Sequence, residues 1–187
     1  TLETLIMKTA FLGASLAAIV GSVATADVTF SFTNQTWTGF NFTEAYLAGS
    51  LSGTLTGATV NATLNASTNY TYADDLCVYV AGNPLALGGA LQCGGFSNLN
   101  ATQRYSWANG GSNTPGTPVT GTVNFTTGID MTASPTLSVW IGNGYGAAGT
   151  SGTFTGSITL LGVSAVPAPG AIALVGLAGL VGRRRRS

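Results

Sequence analysis

The chain has 187 residues, six basic and six acidic side chains, and no histidine. The lack of histidine excludes Ser-His-Asp and Cys-His catalytic sites and metal sites built on imidazole. Five of the six basic residues lie near the two ends, at Lys8 and at 183–186, so residues 27–166 keep only Arg104. Against Asp27, Glu44, Asp74, Asp75 and Asp130 this leaves a net charge of 1 − 5 = −4, which disfavours nucleic-acid binding.

The first 26 residues predict export. Lys8 precedes an apolar stretch too short for a stop-transfer helix, and Ala24-Thr25-Ala26 stands directly before Asp27. A positive start, a short apolar core and an Ala-x-Ala site are typical of a secretory signal peptide. We therefore expect a signal helix over 7–26, cleaved before Asp27 by signal peptidase after passage through the secretion machinery. Met7 is then the natural first residue, and 1–6 is an upstream extension.

Residues 27–166 have a hydrophobic period of two and the length of one domain. From Thr59 to Tyr72 the odd positions are all Thr, Asn or Ser, while the even positions include Val60, Leu64 and Tyr70. Similar short runs recur along the chain, separated by turn residues such as Asn109-Gly110-Gly111. Many short strands with one polar face predict an all-β fold, an antiparallel β-sandwich, in which each sheet buries its apolar face against the other.

Two parts of this region resemble the jelly-roll of the proprotein-convertase P-domain type. The first runs from Leu51-Ser-Gly-Thr-Leu-Thr-Gly to Asp74-Asp75-Leu76-Cys77-Val78-Tyr79-Val80, where an Asp-Leu pair opens a central strand. The second comprises Leu137-Ser-Val-Trp140-Ile-Gly-Asn-Gly and the segment from Thr153 to Leu161, and is similar to the family's closing hairpin. The resemblance implies a jelly-roll-like sandwich that serves as an ancillary module of other proteins.

The two cysteines, Cys77 and Cys93, predict a disulfide. An exported chain enters an oxidising compartment, where paired cysteines are normally joined. A bridge here would close a loop of about 15 residues and stabilise the fold by roughly 3 kcal/mol.

Carboxylates offer two further candidate sites. Asp74, Asp75 and Asp130, with carbonyl oxygens of nearby glycine turns, form a candidate calcium site, since calcium prefers oxygen ligands. The alternative is that the Asp74-Asp75 pair caps a turn and remains solvated. Glu44 with one of the aspartates is a candidate pair for glycoside hydrolysis, which needs two carboxyl groups.

Aromatic side chains suggest carbohydrate binding. Trp107 and Tyr105, close to the loop at Asn109, are the candidates for an exposed platform on which sugar rings stack. Trp37, Phe40, Trp140 and Tyr145 are further members of this set. Core packing is the competing interpretation for all of them, and for Trp140 in particular.

The last 21 residues, 167–187, combine three features. Pro167-Ala168-Pro169 breaks regular structure, the apolar run from Gly170 to Gly182 follows, and four arginines, Arg183, Arg184, Arg185 and Arg186, precede Ser187. The apolar run has 13 residues, whereas a bilayer span needs roughly 20. Arginines at its end would stay on the cytoplasmic side and orient the rest of the chain outward.

This tail resembles the PEP-CTERM sorting signal, with Ala168 where most members carry glutamate. The resemblance implies transient inner-membrane anchoring by a C-terminal apolar helix, and cleavage near Pro167 by an exosortase-like enzyme. It also implies release to the cell surface or the extracellular space. Altogether the sequence predicts an exported, non-catalytic cell-envelope or extracellular-matrix protein with a structural or adhesive role. The alternative is a carbohydrate-binding module for exopolysaccharide, and the third hypothesis is a glycan hydrolase.

Overall fold

The computed structural model describes residues 27–96 and 100–167, which form nine β-strands and one 3-10 turn at Ala73–Asp75. The strands are β1 (Val28–Thr38), β2 (Phe42–Tyr46), β3 (Leu51–Thr68), β4 (Leu76–Ala81), β5 (Leu91–Cys93), β6 (Gln103–Tyr105), β7 (Thr117–Asp130), β8 (Ser138–Asn143) and β9 (Ser151–Ala165). The predicted signal peptide and extension, and the tail beyond Pro167, lie outside the described residues. No helix in the described ranges has the length and apolar character needed to cross a membrane.

The strands form two sheets, which confirms the predicted all-β sandwich. One sheet has the order β1-β9-β3-β7 and is antiparallel throughout. The other has the order β2-β8-β4-β5-β6, in which β5 and β6 run parallel and the other pairs antiparallel. The chain changes sheet at every connection except β4–β5 and β5–β6. Consecutive strands are therefore mostly stacked face to face.

The main core lies between the two sheets and follows the period of two. In β3, Val60, Ala62 and Leu64 are buried, while the alternating polar residues face outward. They pack against apolar side chains of the facing sheet, such as Val78 and Ile141. Burial of each large apolar side chain stabilises the fold by about 1.5 to 3 kcal/mol.

The alternation predicted up to Tyr72 ends earlier in the structure. A bulge shifts the register between Leu64 and Ala66, and β3 stops at Thr68. Asn69 and Tyr70 then turn the chain with φ angles of 51° and 65°. Because the chain leaves the sheet here, Tyr70 and Tyr72 are exposed rather than part of the core.

Strand β4 is buried on both of its faces. Its outward side chains Cys77, Tyr79 and Ala81 form a second apolar cluster with Trp140 of β8 and Ala101. The chain between β4 and β5 covers this cluster: the Tyr79 hydroxyl accepts a hydrogen bond of 2.7 Å from the Gly89 N–H and donates one of 3.4 Å to the Ala86 carbonyl. The core thus extends beyond the space between the sheets.

The predicted disulfide is wrong, because both cysteines are free thiols. Cys93 lies directly opposite Val78 in the β4–β5 pair, so the two side chains share the inner face of the sheet. Cys77 precedes Val78 and therefore lies on the outer face. A sheet separates the two sulfur atoms, and no side-chain rotation could join them.

The last two strands do not form the predicted closing hairpin. β8 pairs with β2 and β4, whereas β9 pairs with β1 and β3 in the other sheet. The glycine-rich segment after Asn143 consequently crosses from one sheet to the other. There it meets the connections that follow β3, β5 and β6, and these segments together build one end of the sandwich.

Candidate binding cleft

Three loops are tied to the 3-10 turn Ala73–Asp75 by backbone hydrogen bonds. The Asp74 N–H donates to the Gly110 carbonyl at 3.1 Å, and the Asp74 carbonyl accepts from the Gly95 N–H at 2.8 Å. The Asp75 carbonyl accepts from the Gly144 N–H at 2.7 Å. Because one short turn holds the loops after β5, β6 and β8, their relative positions are set by main-chain contacts.

These loops enclose a cleft of about 490 Å³. Its aromatic walls include Tyr70, Tyr72 and Phe96, which are 68%, 39% and 77% exposed. Tyr145 adds a fourth ring, edge-on to Phe96 with 6.0 Å between ring centroids. Exposed rings of this kind offer apolar faces with a polar rim, which suits a ligand that is itself amphipathic.

Asp74 and Asp75 provide the acidic groups of the cleft. Asp75 is only 3% exposed, and its Oδ2 accepts a hydrogen bond of 2.7 Å from the Tyr72 N–H. Burial raises the pKa of the Asp75 carboxyl to about 6, and the Asp74 charge acts in the same direction. Burial also raises the pKa of Asp74. Near neutral pH the pair accepts hydrogen bonds, and in mild acid Asp75 becomes a donor as well.

The prediction of an exposed Trp107 platform is wrong. Trp107 is 6% exposed and lies at the floor of the cleft, where its indole Nε1 donates a 2.6 Å hydrogen bond to the Leu76 carbonyl. Tyr105 packs against Phe125 with 4.9 Å between ring centroids. Its hydroxyl accepts from the Thr126 N–H at 2.7 Å and donates to Gln103 Oε1 at 2.8 Å. Tyr105 therefore supports the loops outside the cleft, whereas Trp107 lines the floor of the cleft with its indole N–H already bonded to the backbone.

The other aromatic residues divide between core and surface. Trp37 is buried in the main core and Trp140 in the outer cluster, as the core-packing interpretation expects. Phe40 is 48% exposed and forms part of a shallow groove with Phe96 and Tyr145 beside the cleft. Tyr70, Tyr72 and Phe96 were not predicted as surface groups. The available signal was Asn69, a residue type that favours turns, directly before Tyr70 and a few residues before the Asp pair.

The structure does not bring the three predicted calcium ligands together. Asp130 pairs with Thr54 near the start of β3, whereas Asp74 and Asp75 follow the other end of that strand. Asp130 accepts a 3.0 Å hydrogen bond from the Ala133 N–H. Among residues 27–96 and 100–167, no three side chains of His, Cys, Asp or Glu group closely enough to hold a metal ion.

Glu44 lies on β2 and is not part of the cleft. Its two carboxylate oxygens accept hydrogen bonds of 3.0 and 2.9 Å from Asn83 Nδ2, which link β2 to the chain after β4. This contact gives Glu44 a structural role. The acidic pair within the cleft is therefore Asp74 with Asp75.

No protein-family model, curated protein or solved structure is similar enough to the chain to match it.

Proposed function

We propose that the chain is an exported, non-catalytic module of the cell envelope or extracellular matrix, with a structural or adhesive role. We further propose that it adheres by holding exopolysaccharide in the loop cleft. The observation that carries this proposal is the combination of exposed Tyr70, Tyr72 and Phe96 with the acidic pair Asp74 and Asp75 around one cleft. Sugars present apolar ring faces and hydroxyl edges, which such rings and carboxylates match.

The strand order supports a jelly-roll arrangement for this module. Strands β1-β9-β3-β7 face β2-β8-β4-β5, and successive strands mostly alternate between the sheets, as in a double Greek key. In such a fold the connections gather at the two ends. Loops can then form a binding surface on a rigid frame.

Sorting by an exosortase-type enzyme is the proposed route to the surface. Within residues 27–96 and 100–167, the last main-chain hydrogen bond of the sandwich is that of 2.8 Å from the Val166 N–H to the Ser50 carbonyl, and Pro167 directly after it is exposed. A processing enzyme would therefore reach this position without unfolding β9. Intact mass of the secreted protein tests the route: we expect a chain that begins at Asp27 and ends near Pro167. A surface protein that retains Ser187 would contradict it.

Glycan binding is tested by retardation of the full chain in gels that contain exopolysaccharide from the producing cells. Loss of a stacking ring costs about 0.5 to 1.5 kcal/mol, so Tyr70→Ala and Tyr72→Ala should each weaken retention about twofold to tenfold. Leu47→Ala is the matched control, because Leu47 is 62% exposed and lies away from the cleft. Equal retention of all four proteins would refute the cleft as the binding site. Shortening of the glycan would favour the hydrolase hypothesis instead.

A further inference from the structure

The side chains that line the loop cleft carry negative charge only. Asp74 and Asp75 belong to its walls, whereas Arg104, the one basic side chain in residues 27–166, lines the neighbouring groove with Phe40. At neutral pH the cleft therefore holds two carboxylates, and no lysine or arginine among the described residues lines it. This charge distinguishes the cleft from the groove beside it.

The two carboxylates are poorly stabilised by water. Asp75 is 3% exposed, and burial together with the neighbouring Asp74 charge raises its pKa. Burial raises the pKa of Asp74 as well. A pKa raised in this way means that the charged form lacks the stabilisation that full solvation would give. A ligand that brings a positive charge into the cleft would supply it.

The aromatic rings of the cleft favour the same kind of ligand. Tyr70, Tyr72, Phe96 and Tyr145 line it together with the two carboxylates. The face of an aromatic ring carries partial negative charge and attracts an ammonium group that lies within about 6 Å of the ring centroid. Rings grouped around one site are a known means of binding organic ammonium groups. Rings and carboxylates thus independently favour an organic cation over an anion.

Main-chain hydrogen bonds fix the rings relative to the carboxylates. The Tyr72 N–H donates to Asp75 Oδ2 at 2.7 Å. The N–H groups of Gly95 and Gly144, each directly before a wall ring, donate to the carbonyls of the Asp pair at 2.8 and 2.7 Å. The walls and the acidic groups are therefore preorganised, which lowers the entropy lost when a ligand binds.

These features narrow the chemistry of the polysaccharide proposed above. An acidic sugar would be repelled by the Asp pair, whereas an amino sugar without an acetyl group carries a positive charge next to an apolar ring face. We propose that the cleft binds the protonated amino group of such a sugar, which donates charge-assisted hydrogen bonds to Asp74 and Asp75 while the sugar ring stacks on the aromatic walls. This inference rests on the proposed glycan binding and names the class of sugar.

Hexamers of glucosamine and of N-acetylglucosamine test the proposal, because acetylation removes the positive charge and keeps the sugar ring. Binding of the full chain to each is measured by titration calorimetry at about pH 6.5, above the pKa of Asp75. The glucosamine hexamer should bind at least about tenfold more tightly, since charge-assisted hydrogen bonds are roughly twice as strong as neutral ones. Asp74→Asn should remove most of this difference and leave the affinity for the acetylated hexamer unchanged. Tyr72→Ala should weaken the binding of both.

Asp130→Asn is the matched control, because it removes one negative charge at an exposed position toward the other end of β3. Its affinity for the glucosamine hexamer should equal that of the unaltered protein, which separates binding in the cleft from a general attraction between a cation and an acidic domain. Thermal unfolding of all variants verifies that they fold.

The proposal is overturned if both hexamers bind equally or not at all, or if Asp130→Asn loses as much affinity as Asp74→Asn. It is also overturned if a lysine hexamer binds as tightly as the glucosamine hexamer, since the cleft would then suit a basic protein segment. Failure of the glycan function itself looks different: retention in exopolysaccharide gels would then be equal for Tyr70→Ala, Tyr72→Ala and the unaltered protein. Retention that depends on these rings, with equal binding of both hexamers, would show that only the sugar class is wrong.

Discussion

The indole Nε1 of Trp107 donates a hydrogen bond of 2.6 Å to the carbonyl oxygen of Leu76, the first residue of the central strand β4. Both residues belong to the main core. The contact joins the loop after β6 to the strand that follows the Asp74-Asp75 pair. It explains how a tryptophan can line the loop cleft and still be part of the core.

Trp107→Phe should destabilise the protein, because it keeps the apolar ring but leaves the buried Leu76 carbonyl without its donor. We expect a loss of about 1 to 3 kcal/mol in the free energy of unfolding, measured by urea denaturation. Tyr70→Phe is the control, since Tyr70 is exposed, and its stability should be unchanged. Equal stability of Trp107→Phe and the unaltered protein would contradict the role of this bond.

Gly94→Ala should be destabilising for two reasons. Gly94 has a φ angle of 75°, which side chains other than hydrogen disfavour, and an added Cβ would collide with Leu76 O and with the Trp107 indole. We expect a loss of about 3 kcal/mol in thermal or urea unfolding. At Gly82 an added Cβ meets no atom within 4 Å, so Gly82→Ala should leave stability nearly unchanged. A Gly94→Ala variant as stable as Gly82→Ala would contradict this account.

The stability of the sandwich should depend on the charge of Asp75. The pKa of Asp75 is about 6 in the folded protein, above the ordinary value of about 3.9, so the folded state retains a proton that the unfolded state releases. This contribution to the free energy of unfolding is present below about pH 4 and is lost as the pH rises to about 6.

Asp75→Asn keeps an oxygen for the Tyr72 N–H but cannot ionise. Its free energy of unfolding should therefore fall less than that of the unaltered protein between pH 4 and 6, with Asp74 accounting for the remaining fall, and at pH 7 it should exceed that of the unaltered protein. Urea denaturation across this range measures the difference. Leu47→Ala, which changes an exposed side chain that does not ionise, should keep the pH dependence of the unaltered protein. An unchanged slope in Asp75→Asn would show that another group titrates.

Both cysteines should be found as thiols in the native protein. Burial raises the pKa of Cys77 and of Cys93, so neither forms the reactive thiolate readily. A thiol reagent should leave the native protein unlabelled, and should label two groups per chain after denaturation without reductant. Reductant should not change the melting temperature. Recovery of unlabelled, denatured protein that is two hydrogen masses lighter would contradict the opposite-face placement.

Local sequence patterns were sufficient to predict much of the fold. The alternation in β3 and the turn residues between strands predicted a β-sandwich, because a period of two is a property of the backbone itself. The central strand that begins at Leu76 was expected only from the resemblance to the P-domain jelly-roll, and in the structure β4 begins at Leu76. Core packing was the competing interpretation for Trp140 and Trp37, and both are buried.

Relations between distant residues were decided only by the tertiary structure. Sequence spacing cannot say which face of a sheet a cysteine occupies, because a single bulge or a change of register exchanges the two faces. For the same reason it could not show that Asp130 lies at the other end of β3 from Asp74, or that β8 and β9 enter different sheets. The cleft likewise depends on loops that are far apart in the chain.

The sequence by itself thus determined the fold class, the acidic charge of residues 27–166 and the polar character of one strand face, all of which follow from composition and local period. The tertiary structure alone decided which rings are exposed and which carboxylates lie in one cleft. These depend on strand order and register, and those are set by the packing of the whole sandwich rather than by any one segment.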